Sequence, residues 1–337
     1  MVEDRLPFER IKREVLVRRK AETDPRFGCE PSKRTADVLA DYGIININKP
    51  RGPTSHQVSA YVQQILKVEK AGHSGTLDPN VTGVLPVAIG RGTRVVESLL
   101  TAGKEYICLM HLHDDRDEAV IRQIAANFTG KIKQMPPVKS AVKRQMRFRN
   151  VYYLNIIEIE RREVLFRVGC QAGTYIRKLV HDMGQSLGCG AHMAELVRTK
   201  AGPFKDDVLW TLQDLRDAMT YWKEQGNEKF LRQVILPVEE AVRHLPKVWV
   251  MDTTVDTLCH GASLNSPGIA SVESGIVLDE PVAVMTLKNE LVCIGPSRMT
   301  SEDMVKKERG LAVKPDKVFM QPGTYPKIQR DTLKNTT

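Results

Sequence analysis

Apolar positions along the chain follow two rhythms. Val58, Tyr61, Val62, Ile65 and Leu66 recur at the i, i+3, i+4, i+7, i+8 spacing of one helix face. Thr54-Ser55 stands just before them and offers a hydroxyl to cap the free N–H groups of the first turn. Apolar runs predict strands over 43–49, 84–89, 104–112, 152–159, 164–170 and 193–199. Gly90-Arg91-Gly92-Thr93 predicts a turn into a helix through Val95, Val96, Leu99 and Leu100. Further helices are predicted over 120–128, 174–187, 212–222 and 238–244, with Gly188 closing the second of these. Strands and helices without strict βαβ alternation define a mixed α+β domain with a largely antiparallel sheet. The texture changes at Pro246. Short runs (Val248-Trp249-Val250, Ile276-Val277, Val282-Ala283-Val284-Met285, Leu291-Val292-Cys293-Ile294) are then separated by Gly, Pro and Asn turns, the pattern of a small β-barrel-like module. The expected division is therefore an arm over 1–40, a main domain over 41–246, a β-rich module over 247–326 and a tail over 327–337. The arm is charged and broken by Asp24-Pro25 and Glu30-Pro31; it is either an extended segment that needs another surface or an unstructured tail.

Length and charge narrow the picture. The 337 residues suffice for two domains, and no run of about 18 apolar residues exists to span a membrane. The chain opens on mixed charge rather than an apolar signal region, so a cytoplasmic protein is expected. Six scattered cysteines form no CxxC pair, which argues against a zinc ribbon or a disulfide scaffold. The net charge of +9 tilts toward a polyanionic partner. The charge is concentrated in Lys131, Lys133, Lys139, Lys143, Arg144, Arg147 and Arg149, a stretch without one acidic residue and interrupted by Met135-Pro136-Pro137. Like-charge crowding and two prolines predict a mobile loop over about 131–150; a solvated charged hairpin is the competing reading.

Three short segments carry candidate chemistry. His73-Ser74-Gly75-Thr76-Leu77-Asp78-Pro79 places one carboxylate on a loop between a helix and an apolar strand. Alone it reads as an ordinary turn. Upstream stands Ile47-Asn48-Lys49-Pro50-Arg51-Gly52-Pro53-Thr54-Ser55. Downstream stands Gly173-Thr174-Tyr175-Ile176-Arg177-Lys178-Leu179-Val180-His181-Asp182-Met183-Gly184. In this order the three resemble the TruB/dyskerin family of pseudouridine synthases, and within it the archaeal type, the catalytic subunit of box H/ACA ribonucleoproteins. The match runs from about Gly43 to Phe204, and the β-rich tail resembles a PUA RNA-binding domain.

The resemblance implies a pseudouridine synthase fold with a PUA module and an N-terminal arm packed on it. It implies isomerisation of uridine in rRNA directed by a guide RNA, with the tRNA T-loop left open as a further substrate. Asp78 would be the reactive carboxylate, Arg177 its ion partner, and Tyr106 the ring on which the base stacks. Tyr175 would be a second pocket aromatic, with Lys49 and His73 flanking the pocket, Lys49 to support the loop and His73 to contact the substrate backbone or the displaced base. Lys139, Lys143 and Arg144 would neutralise phosphates from a thumb-like loop. The chemistry fits. Breaking and remaking a glycosidic bond needs a carboxylate near the base but no metal or redox cofactor, so none is expected. A guanidinium fork suits an ionised carboxylate, and a phenol both stacks and hydrogen-bonds. The implied partners are guide and substrate RNA, a small zinc-ribbon protein, a Gar-type protein and a kink-turn-binding protein. Two departures stand out: Val197 replaces a second arginine, and the final residues from Asp331 lack the lysine-rich tail of eukaryotic members. The rival reading is a non-catalytic RNA-binding scaffold.

Two other patterns carry less. His111-Leu112-His113-Asp114-Asp115 looks like a metal nest, but alternation on a strand and the lack of a distant ligand set make it a strand end leading into a turn. Gly90-Arg91-Gly92 lacks the third glycine of a dinucleotide fingerprint and reads as a turn.

Overall fold

The computed structural model describes residues 4–136 and 145–327. They form two compact units, one built from residues 39–236 with the chain start through Ile11, the other from residues 12–38 and those from Pro237 onward.

The first unit is built on a long sheet. Its strands run in the order Gly43–Lys49, Thr82–Ile89, Ala191–Ala201, Lys104–Leu112, Glu163–Cys170, Arg147–Glu160, Gly130–Gln134. All neighbours are antiparallel except Thr82–Ile89 against Ala191–Ala201, which pair parallel at Thr82↔Val197 and Gly83↔Arg198. This parallel contact sets Val84 and Arg198 side by side near the loop that bears Asp78. Gly83 makes the approach possible: its φ is +100°, and a Cβ there would sit 2.3 Å from the Arg198 carbonyl oxygen. The helix Ser55–Leu66 forms as its sequence dictates. The Thr54 hydroxyl accepts from Gln57 N–H, the Gln57 side chain returns to Thr54 N–H, and Val58, Val62 and Leu66 are buried. Tyr61, on the predicted apolar face, lies at its edge and is exposed. The helix Ile176–Ser186 buries Ile176, Leu179, Val180 and Met183 against a core that includes Cys108, Met110, Phe166 and Val168.

The basic stretch departs from the expected loop. Gly130–Gln134 and Arg147–Glu160 pair in register from Gly130↔Val151 to Gln134↔Arg147, so both flanks of the 131–150 segment are strands. The register sets Lys131 and Lys133 on one face opposite Asn150 and Phe148, and Arg149 and Arg147 on the other opposite Ile132 and Gln134, so no cation stands directly across from another, and the Lys131 ammonium lies 4.6 Å from the Phe148 ring centroid. Lys139, Lys143 and Arg144 fall outside the described residues. The predicted helix over 238–244 is a short 3-10 turn, Val238–Val242. Ile276 is buried but Val277 is exposed, and neither lies in a strand.

The second unit holds a six-stranded sheet in the order Val15–Val17, Ile269–Glu273, Lys247–Val250, Pro281–Thr286, Leu291–Pro296, Lys317–Val318. The arm supplies the first strand, and Arg34 anchors it with two buried bonds of 2.7 and 2.8 Å to Glu239. The arm is divided, however. Residues 4–11 belong to the first unit, where Leu6 is fully buried and Glu9 pairs with Lys200 and Lys205 at 3.1 Å each.

The Gly83 contact gives a direct test of the sheet. Gly83→Ala must bend the backbone away from Arg198, so the urea midpoint should fall by the equivalent of more than about 1 kcal/mol. An unchanged midpoint would mean the two strands do not meet as described.

Candidate active site

The Asp78 loop is held by its backbone. Ser74 N–H donates to Pro86 O at 3.0 Å. The Ser55 hydroxyl accepts from Leu77 N–H at 2.8 Å and donates to Leu77 O at 3.3 Å. Beyond Asp78 the chain turns at once, with Val81 N–H donating to Asp78 O at 3.0 Å and proline at the second turn position. Gly52 N–H reaches Pro79 O at 2.9 Å. Lys49 completes the frame. Its ammonium is fully buried and gives its three protons to Pro50 O (2.9 Å), Pro79 O (3.1 Å) and Val81 O (2.9 Å). The segment Lys49 to Ser55 thus fixes the loop from below, while the Asp78 carboxylate stays half exposed.

Arg177, the second residue of its helix, donates from Nη2 to Asp78 Oδ2, ninety-nine residues away in sequence. A cavity of about 620 Å³ opens beside this pair and is lined by Asp78, Arg177, Tyr106, Tyr175, Lys104 and Arg198 among others. Of the residues singled out from the sequence, the structure gathers Asp78, Arg177, Tyr106 and Tyr175 around one cavity. Lys49 lies behind the loop, its donors all taken. His73 also sits behind it, half buried, with Nδ1 accepting from Gly75 N–H at 3.3 Å and its ring edge-on to His56. Desolvation, with His56 and Arg198 nearby, pushes the His73 pKa down to about 4.

Two cavity cations escaped the sequence reading. Arg198 is 1% exposed. It donates from Nε to Val84 O at 2.7 Å and from its two terminal nitrogens to Gly75 O at 3.4 and 3.5 Å. Its guanidinium also lies beside the Tyr106 phenol: burial raises that phenol's pKa and Arg198 partly offsets the rise. Lys104 donates to Leu99 O (2.8 Å) and Ala102 O (2.7 Å), and burial lowers its pKa to about 7. A neutral amine there still has the two protons those carbonyls need. The signal for Arg198 was its spacing of two from Leu196, which puts it on the buried side of the strand, while Val197 points outward. Lys49, Lys104 and Arg198 together place three buried basic side chains around the loop that bears Asp78, each secured, among the described residues, by main-chain oxygens rather than by an acid.

The histidine cluster stays apart from this cavity. His192 joins His111 and His113 with ring centroids 5.1 and 5.2 Å away, and His113 Nε2 is 3.0 Å from His192 Nδ1. Among the described residues no group of three or more His, Cys, Asp or Glu side chains could hold a metal ion, and no helix is long and apolar enough to cross a membrane.

The first unit thus presents one fixed carboxylate with an arginine partner and a tyrosine, and the second is a separate β-rich module. Family models match along the chain: the TruB family pseudouridylate synthase N-terminal domain over residues 63–176, the tRNA pseudouridylate synthase B C-terminal domain over 177–243, the PUA domain over 246–319 and the DKCLD domain over 3–59. A probable tRNA pseudouridine synthase B of Methanopyrus kandleri is 52% identical over 323 residues, covering 96% of this chain and 95% of that one. The Pyrococcus furiosus protein of the same name is 55% identical over 320 residues, covering 94% of each. Among solved structures, a Cbf5-Nop10-Gar1 complex contains a chain 54% identical, with a TM-score of 0.92, over 97% of this chain and 100% of that one. An H/ACA ribonucleoprotein bound to a substrate RNA containing 2'-deoxyuridine contains another, 52% identical with a TM-score of 0.91, over 96% and 100%. The chain belongs to the TruB family of pseudouridylate synthases and is an isomerase of that class.

The His73 environment sets a pH dependence. The unfolded chain protonates this histidine near 6.5, the folded protein only near 4. The unfolded state therefore binds the proton first, and stability falls as pH drops from about 6.5 to about 4. Urea titrations of wild type and His73→Gln should diverge in that window, the wild type losing more; parallel curves would place His73 in open solvent.

Proposed function

We propose that this chain converts uridine to pseudouridine in RNA with Asp78 as the reactive carboxylate. The observation that carries the reading is Asp78 itself, pinned at the backbone on both sides, paired to Arg177 and open to a cavity that Tyr106 and Tyr175 line. Attack by the carboxylate and abstraction of a sugar proton both require an ionised Asp78, and the guanidinium favours that form. The buried cations behind the loop act in the same direction. Tyr106, carried on the strand Lys104–Leu112 with its phenol beside Arg198, supplies the face on which a flipped uracil stacks. Tyr175 closes the other side. Lys49 acts through the loop it braces, and His73 from behind it. Lys139, Lys143 and Arg144 supply phosphate contacts.

The substrate is rRNA presented by a guide RNA. The similarity to the chain in the RNA-bound H/ACA particle supports this, and the PUA module and arm would anchor the guide. The protein partners are a Nop10-like zinc-ribbon protein and a Gar1-like protein, in line with the solved complex, together with a kink-turn-binding protein. The cell interior is the place of action. The names of the curated relatives, tRNA pseudouridine synthase B, favour tRNA as a second substrate, and the reading places that target in the T-loop, reached without a guide. A scaffold that only held RNA would gain nothing from an acid facing the polyanion.

Asp78→Asn keeps the size of the side chain and removes its charge. Pseudouridine formation in the reconstituted particle should fall roughly 10²–10⁴-fold or more while RNA binding stays within twofold. Wild-type activity of Asp78→Asn would return the chain to the scaffold reading. Parallel assays with guided rRNA and with free tRNA separate the two substrates.

A further inference from the structure

We infer that Gln134 is a positioning residue for the reaction, setting where Arg177 and Tyr175 stand. The inference rests on the reading of the Asp78–Arg177 pair as the reacting centre. Gln134 ends the Gly130–Gln134 strand and is 2% exposed. Both ends of its amide go to one residue. Its Oε1 accepts from Tyr175 N–H at 3.0 Å, and its Nε2 donates to Tyr175 O at 3.1 Å. A buried amide whose two groups bond the N–H and the C=O of one residue spans the two peptide units that flank its Cα and fixes the backbone there in position and rotation.

Tyr175 is the place where such a clamp matters. It is the last residue before the helix Ile176–Ser186, and its own side chain makes no capping bond. Its carbonyl also accepts the first bond of that helix, from Leu179 N–H at 3.0 Å. The preceding turn is secured separately, by Thr174 donating to Gln171 O through its N–H (3.2 Å) and its hydroxyl (2.7 Å). Gln134 is thus the side chain that ties the helix start to the neighbouring strand. Two residues on, Arg177 meets Asp78. A rotation at Tyr175 carries the guanidinium off the carboxylate and swings the Tyr175 ring within the cavity. Glutamine suits the task because it presents a donor and an acceptor at once. An ionised glutamate would set an oxygen against the Tyr175 carbonyl, and an apolar side chain would leave the Tyr175 N–H unpaired and the carbonyl with its Leu179 bond alone.

The test is single-turnover pseudouridine formation by the assembled enzyme, with RNA affinity measured alongside. Gln134→Leu should lower the rate about 10–100-fold while RNA affinity stays within twofold. Gln134→Glu, which keeps the volume and the acceptor, should fall between Leu and wild type, and it serves as the decisive variant if Gln134→Leu does not fold. Combined with Arg177→Lys, either substitution should cost less than the product of the separate losses, because both act on one ion pair. A purely structural role would leave the losses multiplicative. Multiplicative losses, a wild-type rate, or a loss matched by weaker RNA binding would each overturn the inference. The Asp78→Asn control keeps the two ideas distinct: if that variant is active the catalytic assignment fails, whereas an inert Gln134 substitution beside a dead Asp78→Asn sinks only the positioning role.

Discussion

One contact organises this protein: an aspartate on a short loop and an arginine at a helix start, joined across the middle of the long sheet. A half-exposed ion pair of this kind is worth little to stability, about 0–1 kcal/mol. Its position therefore has to be enforced by everything around it. Lys49 and Ser55 hold the loop from one side and Arg198 from another. The helix that carries Arg177 is set by its apolar stripe and by Gln134. The parallel contact at Gly83 brings the strand of Arg198 under the loop.

The supports share one device. Among the described residues Lys49, Lys104 and Arg198 are buried without a carboxylate partner, and backbone carbonyls accept their N–H groups. Burying a cation is costly, and main-chain oxygens offset that cost while leaving net positive charge in place. Desolvation lowers the pKa of all three. The consequence at the surface is a local potential that favours an anion, met by Asp78 in the free enzyme.

Much of this was legible in the sequence, for identifiable reasons. The Thr54–Gln57 capping box and the spacing from Val58 announce their helix, and the strand Lys104–Leu112 begins and ends where its apolar run does. The order of three motifs placed Asp78 and Arg177 in one site, which no local pattern could do. What stayed hidden was mostly charge in unexpected places. Lys and Arg are read as surface residues by default, so the buried roles of Lys104 and Arg198 were passed over. The strand flanks of the basic stretch were missed because like charge was weighed above alternation. Gln134 had no signature: its role exists only once the strand lies beside the helix start.

The most direct measurement is chemical rescue of the arginine. Arg177→Ala should lower the single-turnover rate of pseudouridine formation about 10²-fold with RNA affinity unchanged. Free guanidinium should restore part of that rate, and tetramethylammonium at the same concentration should not, since only the former can donate to the Asp78 carboxylate. A wild-type rate without Arg177, or equal recovery with both cations, would contradict the claim that this one contact sets up the reaction.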